Sequence, residues 1–200
     1  MSRYAVPHPG DHEPIAGPHD VNLRPIVDGD LDQFMRWLRE PEVAYWWDEA
    51  DSTVEEIRQD YFEPDPAYPC WRFIIVWQDR DVGLIQYYHD YPDTESLFSA
   101  GIDILIGEAD ARDRGVGREA IRVLLRYLFD VKKLHRVTID PEVGNIRAIR
   151  AYEHAGFTRD GVSRHNDFIR GEYVDTQYLS ILEDEWPAAK AAWFAEQTSR

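Results

Sequence analysis

Residues 111–120 read "ARDRGVGREA", two glycines among three arginines at the head of a strongly amphipathic run. Gly115 and Gly117 carry no side chain, so backbone amides there stand open to a ligand. A helix starting at this point adds unpaired N–H groups and the positive end of its dipole. That combination suits an anion. The charge pattern agrees: residues 112–136 hold eight basic and three acidic side chains, in a chain of 200 residues with a formal net charge of −16. A basic loop inside an acidic protein points to a small polyphosphate ligand; the plain alternative is a tight turn with solvated arginines. The loop has neither the Gly-Lys-Ser/Thr of a P-loop nor the third glycine of a dinucleotide fingerprint.

A second group of residues has the opposite character. The stretch "YWWDEAD", residues 45–51, sits inside a segment, 40–68, that holds ten acids and Arg58 as its one base. Adjacent tryptophans, Trp46 and Trp47, leave an extended backbone on opposite sides, so one of them opens onto a cleft. Indole planes beside carboxylates such as Asp48 suit a polycationic, sugar-like amine, because rings stack on its apolar faces and acids pair with its ammoniums. A solvated helix surface is the competing explanation for the charges. Two further residues have the chemistry for proton transfer. Asp103 lies in "GIDIL", between Ile102 and Ile104, where a carboxylate beside a cleft takes a proton from an ammonium. Tyr152 follows Asn145 by two helical turns, on the same face, and its phenol stays protonated at neutral pH, as a donor must. A strand-end aspartate and a core tyrosine are the ordinary alternatives.

These residues need elements to hold them. "VNLRPI" reads as a strand, and "DGDLDQFMRWLRE" as a helix with Leu31, Phe34, Met35 and Leu38 on one face, ended by Pro41. "STVEEIRQDYF" carries a capping pattern, Ser52 or Thr53 with Glu55 or Glu56, and reads as a second helix. "CWRFIIVWQ", "VGLIQYYHDY" and "LFSAGIDILIG" read as consecutive antiparallel strands. A helix over 116–130, a short strand "HRVTID", a helix "NIRAIRAYEHAG" capped by Asn145 and stopped by Gly156, strands "FTRDGV" and "EYVDTQYLSIL", and a last helix "DEWPAAKAAWFAEQ" complete the order. The class is α+β or mixed α/β. Residues 1–20, rich in proline and glycine, read as a mobile tail ahead of one domain over 21–200. His8, His12 and His19 have no rigid element to set ligand spacing, so no metal is expected.

The glycine loop, as Arg112-x-x-Gly115-x-Gly117, resembles the R/Q-x-x-G-x-G/A segment of the GNAT N-acetyltransferases, and "NIRAIRAYEHAGF" resembles their second segment, N-x-x-A-x-x-x-Y-x-x-x-G-F. The likeness covers residues 22–182. It implies a mostly antiparallel mixed sheet of about seven strands flanked by helices, in which parallel strands near Ile104 and Val137 splay apart around acetyl-CoA. Its pantetheine arm would bond to backbone at Ile104, Leu105 and Ile106. Its pyrophosphate would rest on Arg112, Asp113, Arg114, Gly115, Val116, Gly117 and Arg118, with Asn145, Ala148 and Tyr152 completing that side. The resemblance also implies direct acetyl transfer from the thioester to an amine, with Tyr152 near the sulfur and no covalent role for Cys70.

Trp46-Trp47, Gln86 in "GLIQYY", "GID" at 101–103 and "DPxxxNxRAIRxYExAGF" from Asp140 to Phe157 are similar to the aminoglycoside 6'-N-acetyltransferases in particular. That likeness implies Asp103 as the base, with Gln86, Asp103 and Asp140 facing the acceptor. Two departures stand out. Residues 90–98 lack a tryptophan-bearing loop, and "FIRGEYVDTQYLSIL" resembles ribosomal-protein N-terminal acetyltransferases, in which an acid such as Asp175 faces the acceptor. A peptide α-amine or a siderophore-type lysine derivative is thus a rival acceptor, and a non-catalytic drug or acyl-CoA binder is the reading from a different class. The partner expected is a small cationic amine. Net negative charge disfavours nucleic acid and anionic membranes, no apolar run approaches a membrane span, and the single cysteine fits a reducing cytoplasm. A monomer and a homodimer both fit.

Overall fold

The computed structural model describes residues 12–18, 20–63, 65, 69–89 and 98–198. Seven strands form one sheet in the order β1-β2-β3-β4-β5-β7-β6. β1 (Val21–Pro25), β2 (Cys70–Trp77), β3 (Arg80–Tyr88) and β4 (Ser99–Ile106) pair antiparallel in sequence order. β5 (Arg136–Ile139) lies parallel to β4 and antiparallel to β7 (Glu172–Leu182), and β6 (Thr158–Ile169) closes the far edge. Alternation along the strands divides the apolar residues between two cores. Phe73, Ile75, Ile85 and Ile102 face the helices α4 (Val116–Arg126), α5 (Ile146–Ala155) and α6 (Trp186–Thr198). Ile74, Leu84 and Leu105 face α1 (Leu31–Leu38) and α3 (Val54–Phe62).

The β4–β5 ladder is what makes room for a site. It pairs Ser99–Gly101 with Arg136–Thr138 and stops there, while β4 runs on to Ile106. Two parallel strands therefore diverge at their C-terminal ends, as the sequence resemblance implies. α4 starts beside that gap and α5 follows β5 across it.

Several expectations need correction. Pro41 does not merely end a helix: it opens another, α2 (Pro41–Trp47), so three helices precede the long antiparallel strands. Proline is well placed in a first turn, since its fixed φ suits the helix and its missing N–H is not needed there. The Glu40 carboxylate caps this helix by accepting from the Glu42 and Val43 amides at 3.1 and 3.3 Å. "YWW" is thus helical. α3 is capped as the sequence suggests, and the pair is Thr53 with Glu56. The helix expected over 116–130 is α4 as far as Arg126, continued by a π-type turn at Tyr127–Val131. β6 runs well beyond "FTRDGV", bending at two register shifts against β7.

Residues 1–11, 19 and 90–97 lie outside the described residues, so His8, His19 and most of the 90–98 segment go with them. Within the stretch read as a tail, Ile15 is buried and bridges Leu23, and His12 stacks on Phe73 with ring centres 3.8 Å apart. Asp175 accepts a hydrogen bond from the His165 amide at 2.8 Å. No helix among the described residues is long and apolar enough to cross a membrane.

Candidate functional site

α4 begins at Gly115, whose φ of +81° lies in the left-handed region that glycine tolerates, and no side chain caps this N-terminus. A Cβ on Gly117 would stand 3.6 Å from the Ile106 side chain and 3.9 Å from that of Ile104, filling the gap between loop and strand. The Arg118 Nε is buried without a hydrogen-bond partner, and its nearest carboxylates, Glu119 and Glu196, are 3.8 Å from the guanidinium. Uncapped amides, an open cradle and an arginine whose Nε lacks a hydrogen bond together fit a phosphate-bearing cofactor.

Arg112 behaves differently from its neighbours. Its side chain is only 8% exposed, bonding Glu40 at 2.5 Å and Glu42 at 2.9 Å. It also donates to the carbonyls of Ile106 and Gly107, both at 3.0 Å. The guanidinium therefore fastens the start of α2 to the end of β4, and it holds the Glu40 carboxyl below the usual carboxylate range. Arg112 also lines the cavity, on the side where the family resemblance implies the pyrophosphate. Arg114 is exposed and does not line the cavity, whereas Asp113 lines it and sits 3.9 Å from Arg147.

A cavity of about 210 Å³ opens between these elements. Trp46 and Trp47 of α2, Ile104, Leu105 and Ile106 of β4, and Gly115, Val116, Gly117 and Arg118 of the loop all line it. α5 contributes Asn145, Ala148 and Tyr152. Both indoles reach the cavity because consecutive helical residues are only ~100° apart, where a strand would have turned one away. Asn145 caps α5 by accepting from the Ala148 amide at 3.1 Å, which fixes the helix carrying Tyr152.

Just beyond the cavity lining lie Gln86 and Asp103, directly opposite each other on β3 and β4. Gln86 donates from Nε2 to Asp103 Oδ2 at 2.7 Å and accepts from Arg72 Nε at 2.9 Å. Burial raises the Asp103 carboxyl above its ordinary value, and the Gln86 bond and Arg72 charge oppose that only in part. Burial also pushes the Tyr152 phenol up, helped by the negative charges of Asp103 and Asp140. The phenol and the two carboxyls therefore share one electrostatic neighbourhood. Asp140 itself is exposed at the end of β5. Asp48 is not brought in: it ends α2 with φ 56° and lines a separate surface hollow with Asp51, Glu56 and Asp60. Cys70 is buried, its thiol pushed up to about 12 by that burial, so it is an inert neighbour of Asp103.

Three arginines escaped the sequence reading, and Glu42 entered it only as one acid of the 40–68 segment. Glu42 and Arg147 both line the cavity and pair with each other. Arg147 was visible inside the "NIRAIR" segment, two residues after the Asn145 cap. Arg170 had no signal because Tyr45 is remote in sequence, and Arg72 had none because the hairpin's register with Gln86 is not read from the strand pattern alone. Arg170, at the β6–β7 turn, lies 4.1 Å over the Tyr45 ring and 5.8 Å from the Trp46 ring. It donates to the Tyr45 carbonyl at 2.7 Å and pairs with Glu142 at 2.6 Å.

Comparison with known proteins places this geometry in context. A family model described as an acetyltransferase (GNAT) domain matches residues 27–164. Among curated relatives, the aminoglycoside N(6')-acetyltransferase type 1 of Klebsiella pneumoniae is 28% identical over 151 residues, covering 70% of this chain and 75% of that protein. The spermidine N(1)-acetyltransferase of Vibrio cholerae is 26% identical over 174 residues, covering 83% of this chain and 95% of that one. Among solved structures, the aminoglycoside acetyltransferase AAC(6')-Ib in complex with coenzyme A and kanamycin superposes with a TM-score of 0.72 at 25% identity, covering 85% of this chain and 99% of the other.

Proposed function

The chain belongs to the GNAT family of acetyltransferases, and on that premise we propose that the primary amine it acetylates belongs to a small polycation, with the 6'-amine of an aminoglycoside as first candidate. The enzyme is an N-acetyltransferase that uses acetyl-CoA. One observation carries the acceptor proposal: a single cavity is lined both by the paired indoles of α2 and by the uncapped, arginine-bearing start of α4. Phosphates belong at the start of α4 and cationic amines beside the indoles.

Acetyl-CoA supplies the acetyl group as an activated thioester. The backbone of Ile104–Ile106 lies along the splayed strand where a pantetheine arm would bond, and the amides at 116–118 with Arg118 would hold the pyrophosphate. Asp103 would take the proton that the ammonium must lose before its nitrogen attacks, directly or through water. The raised carboxyl leaves it a better base than an exposed aspartate. Tyr152, kept protonated by its burial, would donate to the sulfur as the C–S bond breaks and the C–N bond forms. Trp46, Trp47, Gln86 and Asp140 would orient the acceptor. A cytoplasmic enzyme conferring drug resistance is consistent with this reading.

A linear polyamine is the second reading, favoured by the likeness to the spermidine acetyltransferase. The test is a thiol-release assay with acetyl-CoA against kanamycin, tobramycin, spermidine, a basic peptide and a lysine hydroxamate precursor. Aminoglycosides are expected to give the highest kcat/KM. Preference for spermidine installs the second reading, and silence toward every polycation overturns both.

A further inference from the structure

Asp103 is reached from β2 as well as from β3, and the β2 side chain is one that neither cavity nor motif includes. Arg72, Gln86 and Asp103 lie in a row across three neighbouring strands, Arg72 opposite Gln86 and Gln86 opposite Asp103. The Gln86 amide has one carbonyl and one NH2 end, and either can in principle face a carboxyl group. Arg72 removes the choice. Its Nε donates to Gln86 Oε1 at 2.9 Å, so the carbonyl is spoken for and the NH2 must point at Asp103, 2.7 Å away. An NH2 can only donate, and a donor favours the ionised carboxylate over the protonated acid. We propose that Arg72 is a positioning residue which, by locking Gln86 as a one-way donor, holds Asp103 in the form that can accept a proton from the acceptor amine. The inference rests on the reading of Asp103 as base.

Arg72 is itself held from the acceptor side. Its guanidinium lies 4.9 Å over the Tyr61 ring of α3. The Tyr61 hydroxyl accepts from Trp47 Nε1 at 2.9 Å and donates to Glu49 at 3.2 Å. A continuous set of contacts thus joins the indole pair to the base: Trp47, Tyr61, Arg72, Gln86, Asp103. The other groups bearing on Asp103 are the Cys70 thiol from β2 and the Tyr152 phenol from α5, the latter itself influenced by Asp140 and Arg147. Both are neutral at working pH, so Arg72 is the positive charge on the β2–β3 side and Gln86 the fixed donor.

The acidic limb of the pH profile of kcat/KM for the acceptor reads the effect. Arg72→Gln is expected to move that limb upward by about one pH unit, a roughly tenfold loss of base form on the limb, with acetyl-CoA KM unchanged. Arg72→Lys keeps the charge but loses the Nε geometry and is expected to recover only part of the shift. Gln86→Leu should move the limb in the same direction, and Arg72→Gln added to it should move it less than it moves the parent, because the link is already cut and only the Arg72 charge is left to lose. Circular dichroism and the unchanged acetyl-CoA KM identify folded variants; if Arg72→Gln does not fold, Arg72→Lys and Gln86→Leu carry the test. An unmoved limb in folded Arg72 variants, or fully additive shifts, overturns the proposal. Asp103→Asn separates the two levels: if it retains turnover the base reading fails, whereas if it is inactive and Arg72 variants titrate like the parent, the positioning role alone falls.

Discussion

Asp103 and Tyr152 draw opposite consequences from the same burial. The carboxyl is raised, which suits its proposed role as base, and the phenol is raised, which keeps it protonated for its proposed role as donor. Asp103→Asn is expected to lower kcat by roughly 10²- to 10⁴-fold and leave the affinity for acetyl-CoA intact, and Tyr152→Phe by about a hundredfold, both measured by thiol release at saturating acetyl-CoA. Turnover within twofold of the parent would remove either residue from its role. Stability gives an independent reading of Asp103. Because its folded-state pKa is raised above the unfolded one, the stability it contributes is present below the unfolded value and lost as pH rises through the folded value. Asp103→Asn should therefore melt above the parent at about pH 8, with the gap closing toward about pH 4. A pH-independent gap contradicts the raised carboxyl.

Among the elements, α2 decides how the two parts of the cavity meet. Arg112 ties its first turn to the end of β4, and Arg170 ties its last turn to the β6–β7 hairpin and to Glu142. Removing the Arg170 guanidinium frees Trp46 from one side. Arg170→Ala is expected to raise the acceptor KM by about two- to fivefold, the equivalent of the roughly 0.5–1 kcal/mol such a contact carries, with acetyl-CoA KM unchanged. Equal effects on both would mean that the hairpin merely supports the fold. Arg112→Ala should cost about 2 kcal/mol of stability by denaturant unfolding, less than a fully buried pair, since Glu40 and Glu42 keep access to water. The strands, α4 and α5 were legible in the sequence because their signals are local: alternation, the glycine stop at Gly156 and the Asn145 cap. α2 was not, because Pro41 reads as a terminator unless Glu40 is known to cap behind it. The engagement of Arg112 was hidden for another reason: a motif gives the spacing of an arginine but not which carboxylates fold against it, and Glu40 and Glu42 come from about seventy residues upstream.

Across the whole molecule, acids outnumber bases, 38 to 22, while the loop at the head of α4 and the helix behind it are basic. On the proposed reading, cofactor phosphates and acceptor ammoniums are drawn to different parts of one cavity, and the acidic surface steers a polycation inward. Such steering is screened over ~10 Å at 0.1 M salt. kcat/KM for tobramycin should therefore fall more steeply with sodium chloride than kcat/KM for a monoamine such as a simple primary alkylamine, and parallel slopes would argue against steering. The central claim is narrower: acetyl moves from acetyl-CoA to a primary amine of a small polycation held against Trp46 and Trp47. Its most direct measurement is mass spectrometry of kanamycin incubated with the protein and acetyl-CoA, with fragmentation to locate the modified ring. The account predicts a product heavier by one acetyl group, carried on the 6'-amine, formed by the parent and lost in Asp103→Asn. Unmodified kanamycin, alongside rapid acetylation of a peptide α-amine in the same mixture, would contradict it.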